Sequence, residues 1–176
     1  MPYHYSTPTI APHSKAVGRS LVISMKEAVV VSHELRGKKL SDAKAILKRV
    51  ISMEKPMPYF RYYHNVGHRA GSMGPGRYPI STSKAILSVL ESAESNATLQ
   101  GMALDKLVVS SILANKGSIN WRGGRRRVRG KRTHVEVILK TFEEQPPVKH
   151  KPFSKKEKTA SSAHSPTPLK ILEATP

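Results

Sequence analysis

Two aliphatic runs, LVVSSIL at 107–113 and THVEVILKTF at 133–142, enclose the densest positive charge in the chain, and this limits the folds open to it. The second run alternates, putting Val135, Val137 and Leu139 on one face as a half-buried strand requires. Between the runs, seven of the thirteen residues in NWRGGRRRVRGKR (120–132) are Arg or Lys and none is acidic. Two strands joined by a charged, glycine-bearing connection are most simply an antiparallel hairpin. It is longer than the tight two-residue kind and projects into solvent or into a partner.

The charge is not confined to that connection. Thirty Lys and Arg stand against twelve Asp and Glu in 176 residues, a formal charge of +18. A globular enzyme rarely carries such self-repulsion unless a polyanion offsets it. Nucleic acid is the leading partner and an anionic membrane surface the second. The length suits one domain with a tail and allows one sizeable core. Cysteine is absent, which excludes disulfides and thiolate-ligated metals. The amino-terminal stretch MPYHYSTPTIAPHSKAVG has no apolar core of signal-peptide length, and no run of roughly 18 apolar residues could cross a bilayer. These features predict a soluble, intracellular protein.

Along the chain, RSLVIS (19–24) suits a short strand. Ser24 and Glu27 then have capping-box spacing and predict a helix with Ala28, Val31 and Leu35 on one face, closed at about Arg36 by Gly37. Ser41 and Asp42 open a second helix carrying Ala43, Ile46, Leu47, Val50 and Ile51, which Pro56 stops. The segment PMPYFRYYHNVGHRAGSMGPGRYP (56–79) is rich in Gly, Pro and aromatics and nearly free of aliphatics, so no packed element is expected there. A third helix opens near Ser81 or Ser83 and presents Ile86, Val89, Leu90, Ala93 and Ala97 until Gly101. The division is therefore an extension at 1–17, a domain at 18–143 with its hairpin at 107–142, and a tail at 144–176. Six prolines, many lysines and a Ser-rich stretch leave that tail too little apolar surface to offset its ordering entropy, so it is expected to be disordered when free.

Catalytic apparatus is missing from the pattern. His64 and His68 are four apart, but Gly67 lies between them and no acidic or cysteine ligand is near, so two histidines in a polar loop are the better reading. GSMGPG (71–76) lacks the Gly-Lys-Ser/Thr ending of a phosphate loop. Glu91 and Glu94, three apart on the third helix, fit a solvated face better than acid–base work. No catalytic residue, metal or cofactor is expected. Nucleic-acid binding has more support, because Arg61, Tyr62, Tyr63, His64 and Trp121 interleave charge with rings that can stack on unpaired bases. Arginine in preference to lysine in RGGRRRVRG also fits bidentate phosphate contact. A single charge run is often only a solvated surface, but four basic clusters make that reading poor for all of them together.

LRGKKLSDAKAIL, LESAESNA, LVVSSILANKG and THVEVIL, in that order and separation, resemble the family numbered twenty-two among the ribosomal proteins of the large subunit, the universal protein of the polypeptide exit tunnel. The resemblance covers about residues 15–143. PYFRYYHNVGHRAG followed by GRYP is similar to the loop that marks archaeal and eukaryotic members. The resemblance implies an α+β fold of order β-α-α-α-β-β, with three helices packed on a small three-stranded antiparallel sheet and an extended β-hairpin. It also implies a cytoplasmic, ribosome-bound protein that binds large-subunit rRNA, supports assembly and lines the tunnel. Its partners would be that rRNA, neighbouring large-subunit proteins and the nascent polypeptide.

Carried over position by position, the hairpin's rRNA-facing residues would be Lys116, Trp121, Arg122, Arg125, Arg126, Arg127, Arg129, Lys131 and Arg132, with the tip at Arg122, Gly123, Gly124 and Arg125. Further rRNA contacts are expected from Lys15, Arg19, Arg61, Tyr62, Tyr63, His64, His68, Arg69, Arg77 and Lys84. Only residues 118–132 separate the NKG and HVEV equivalents, so the hairpin is expected to be about ten residues shorter than usual. At roughly 3.3 Å per residue over two strands, that removes about 15 Å of reach. Two rival classes share some of these features: a free-standing basic RNA chaperone, and a metal-dependent nuclease built on His64 and His68.

Overall fold

The computed structural model describes residues 3–7, 13–121, 123 and 128–141. In chain order the elements are β1 (His13–Leu21), α1 (Met25–Leu35), α2 (Leu40–Ile51), β2 (Met57–Pro58), β3 (His68–Arg69), β4 (Gly74–Arg77), α3 (Ile80–Leu99), β5 (Leu107–Lys116), β6 (Asn120–Trp121), β7 (Arg129–Gly130) and β8 (Thr133–Thr141). The architecture is α+β, with three helices and small antiparallel sheets among the described residues. None of those helices is long and apolar enough to cross a membrane. The tail at 144–176 lies outside the described residues.

The central sheet has the order β1-β8-β5, both pairs antiparallel. Val135, Val137 and Leu139 of β8 are fully buried with Val109 and Ile112 of β5, as the alternation predicts, but Glu136 and Ile138 on the opposite face are buried as well, so β8 is covered on both faces rather than half-buried. They meet Val31 and Leu35 of α1, Leu47 and Val50 of α2, and Ile86 and Leu90 of α3 in one core. The turn after α1 covers the outer edge of β5: Gly37 donates its N–H to Val109 at 2.8 Å, and Val109 donates to Lys38 at 2.9 Å. Gly37 has φ +77°, the left-handed conformation that favours glycine at a helix end.

Three local expectations are corrected. The first strand starts at His13, six residues before RSLVIS, because pairing with β8 organises the weak pattern HSKAVG; Ser14 and Ala16 face inward, and Val22 lies beyond the strand, exposed. The capping box does not form. Ser24 makes no side-chain cap bond, and the Glu27 carboxylate instead accepts a 2.9 Å bond from the Thr82 hydroxyl at the start of α3. Finally, α2 ends at Ile51, five residues before Pro56, where Met53 takes a positive φ of 62°.

The segment 56–79 is also packed, contrary to expectation. β4 lies between β2 and β3 in a second antiparallel sheet. Met57 and Tyr59, two residues apart, point into the core and anchor it. Gly76 is buried where a Cβ would sit 3.0 Å from Arg69 Cγ and 3.4 Å from the Met57 carbonyl, so glycine lets the three strands close. The Tyr59 hydroxyl is pushed up to about 12, by burial first and then by Glu27, against the opposing pull of Arg77; it stays protonated.

Candidate nucleic-acid interface

The hairpin has an anchored root and a charged far end. β5 and β8 pair from Leu107↔Thr141 to Lys116↔Thr133 with one register shift between Val109 and Ser111, and the Gly117 N–H extends the pairing to the Arg132 carbonyl at 2.9 Å. After an interruption, β6 and β7 pair through Asn120↔Gly130 and Trp121↔Arg129. Gly130 permits this approach, because a Cβ there would stand 2.9 Å from the Asn120 carbonyl oxygen. The Arg129 guanidinium sits 5.0 Å from the centre of the Trp121 ring, so the two residues form one cation–π pair. Lys116, Trp121, Gly123, Arg129 and Lys131 are exposed. Arg132 turns back to donate a 3.0 Å bond to the Ser20 carbonyl, which fixes the hairpin against the end of β1. Arg122, Gly124, Arg125, Arg126 and Arg127 lie outside the described residues.

The second cationic group comes from the 56–79 segment. Arg61, Tyr63, His64, His68, Arg69 and Arg77 are all exposed on it. Tyr63 and His64 stack with ring centres 4.8 Å apart. Tyr62, at φ +59°, lies under two cations, Arg61 and Lys26, each 5.4 Å from its ring centre. Arg69 lies 5.2 Å from the Tyr78 ring and also donates to the Gly76 carbonyl, while Arg77 reaches Asn65. His64 and His68 therefore sit on different structures, one on a stacked ring pair and one in β3. Among the described residues no three His, Cys, Asp or Glu side chains group to hold a metal.

Lys15 and Arg19 project from β1 over the rings of Tyr5 and Tyr3, at 5.3 and 4.9 Å. Lys84 is exposed on α3. Sequence reasoning did not find Lys26, which joins the Tyr62 ring to the hairpin side of the molecule, nor the His33–Phe60 pair with ring centres 3.9 Å apart. It also missed Glu136, a buried carboxylate on the outer face of β8. Tyr3 Oη, the Ser6 N–H and hydroxyl, and the Asn115 amide all donate to it at 2.7–2.8 Å. Burial alone would raise the Glu136 carboxyl, but these hydrogen bonds outweigh it and hold the group below the usual carboxylate range. The pattern Tyr-x-Tyr-Ser at the amino terminus was the available signal; its acceptor 130 residues away was not.

A basic α+β protein with a core-anchored hairpin and a cation-bearing insert has the build of a scaffold that presents charge. The family model for "Ribosomal protein L22p/L17e" matches residues 16–140, and the chain belongs to that family. It is 46% identical to the large ribosomal subunit protein uL22 of Thermoplasma acidophilum over 113 residues, covering 64% of this chain and 74% of the relative. Similarity to the uL22 of Ignicoccus hospitalis is 35% over 156 residues, covering 80% and 98%. That of Methanococcus aeolicus is 40% identical over 137 residues, covering 73% and 90%. These relatives place the chain in the archaeal branch of a structural, non-enzymatic ribosomal protein family.

Proposed function

We propose that this chain is a structural constituent of the large ribosomal subunit in the cytoplasm, where it binds large-subunit rRNA, supports assembly and lines the polypeptide exit tunnel with its hairpin. The observation that carries the reading is that β5 and β8, buried at their root, lead into β6 and β7, where Trp121 and Arg129 are exposed. A cation held on a core-anchored strand pair meets a phosphate without the ordering cost of about 1–2 kcal/mol per residue that a flexible tail incurs. Each Arg can then make charge-assisted, bidentate contact. The rRNA also supplies the counter-charge that +18 requires.

The residues assigned to rRNA contact are the exposed cations and rings of the hairpin and of the 56–79 segment, with Lys15, Arg19 and Lys84 at the margin. Neighbouring large-subunit proteins and the nascent chain are the remaining partners, and 118–132 sets how far the hairpin reaches. Crosslinking of the native protein in cell extract, with sequencing of the attached RNA and a parallel sucrose gradient, tests this. Crosslinks from 120–132 to large-subunit rRNA with co-sedimentation are expected. Dispersed crosslinks to many RNAs, with the protein at the top of the gradient, would replace the reading with that of a free-standing RNA chaperone.

A further inference from the structure

A cleft of about 430 Å³ opens where the return strand of the hairpin passes the start of α1. Met25 and Ile119 supply apolar wall, Gly117 and Gly130 bring backbone close, and Lys26, Lys116, Arg129, Lys131 and Arg132 set cations around it. Its lining contains no carboxylate. The ion pairs seen among the described residues, Lys38–Glu34 and Lys44–Glu94, leave these five cations aside. On the other side of Arg129–Lys131 lies a second cleft of about 360 Å³, but the Glu27 carboxylate lines it and disfavours an anion there. Ligand sites are concave, mostly apolar and supplied with a few converging polar groups, in a size range of roughly 300–1,000 Å³. The first cleft meets each condition, and all of its charged side chains are cationic.

We infer that this cleft takes a single unstacked nucleotide of RNA, its base against Met25 and Ile119 and its phosphates on Lys26, Lys116 and the two arginines. Duplex RNA offers phosphates but keeps its bases stacked, so the apolar wall selects a bulged or looped nucleotide. Ile119 is 38% exposed, an apolar side chain that the fold itself does not cover and that a base would. The inference rests on the rRNA-binding reading and adds to it a preference for one kind of RNA site.

The test uses the full chain and two loop-free, two-stranded RNA duplexes of equal length, one fully paired and one carrying a single bulged 2-aminopurine. The wild-type protein is expected to bind the bulged duplex roughly tenfold more tightly and to change the 2-aminopurine emission, as loss or gain of one buried base contact allows. Ile119→Gln removes apolar wall without altering charge, at a partly exposed position that leaves the core intact. It should abolish the preference and the emission change while paired RNA binds as before; circular dichroism checks the fold. The double variant Lys26→Gln, Lys116→Gln should weaken both RNAs. Equal wild-type affinity for the two duplexes, or a preference that survives Ile119→Gln, overturns the cleft assignment and leaves rRNA binding standing. No binding to either RNA overturns rRNA binding and the cleft with it.

Discussion

The root of the hairpin, on β5 and β8, and its far end, on β6 and β7, lie on one chain reversal and are held by different forces. At the root, Val109, Ile112, Val135, Val137 and Leu139 are fully buried against three helices, and both faces of β8 are covered. At the far end, β6 and β7 pair over two residues each, and Trp121, Val128 and Arg129 face solvent. Apolar burial at about 25 cal/mol per Å² therefore stabilises the root, whereas the far end adds little to the folded state and leaves its side chains open to a partner. One hairpin can thus separate stability, in β5 and β8, from recognition, in β6 and β7.

The strongest challenge to this division is Ile112→Ala. Truncating a fully buried isoleucine should cost about 2–5 kcal/mol, read as a lower denaturant midpoint, while RNA affinity of the folded protein stays within about twofold of wild type. A small stability loss would mean that the root is not the anchor. Next comes Glu136→Ala, which leaves Tyr3, Ser6 and Asn115 without their buried acceptor and should cost about 1–3 kcal/mol.

The same carboxylate sets a pH dependence. Its folded-state pKa lies below the ordinary 4.5, so its stabilisation is complete above that value and is lost as pH falls from 4.5 toward the folded pKa. Unfolding midpoints measured from pH 6 down to pH 3 should fall more steeply for wild type than for Glu136→Gln; parallel curves would remove Glu136 from the account.

The far end should respond in the opposite sense. Gly130→Val sets a side chain against the Asn120 carbonyl and should separate β6 from β7, lowering RNA affinity severalfold with a stability change of only about 0.5 kcal/mol. Loss of cooperative unfolding in this variant would show the two ends to be coupled. The smallest effect is expected for Arg129→Ala, with unfolding unchanged and the slope of log affinity against log salt reduced by about one. An unchanged slope would take Arg129 off the phosphate-contact surface.

Legibility followed the same physical division. α2 and α3 could be read because Ala43, Leu47 and Val50, and Ile86, Leu90, Ala93 and Ala97, repeat at helical spacing over several turns; all are buried as that spacing requires. β8 was readable by its alternation. The second sheet was not, since strands of two to four residues are shorter than any period that could announce them, and Gly76 acts there only through neighbours at 3.0–3.4 Å. Of the candidate site, the identity of the cations and rings was legible but their grouping was not. Lys26 reads as an ordinary helix residue until Tyr62 is placed beneath it.

By itself the sequence determined the helices, the two long strands, the position of the charge between them and the family to which the chain belongs, because each of these is written in local periodicity or in ordered motifs. Only the tertiary structure decided where β1 begins, what Glu27 bonds to and what covers Glu136. Those outcomes depend on groups tens of residues apart competing for the same hydrogen bonds and the same buried space: Thr82 against Ser24 for one carboxylate, and Tyr3, Ser6 and Asn115 together on another.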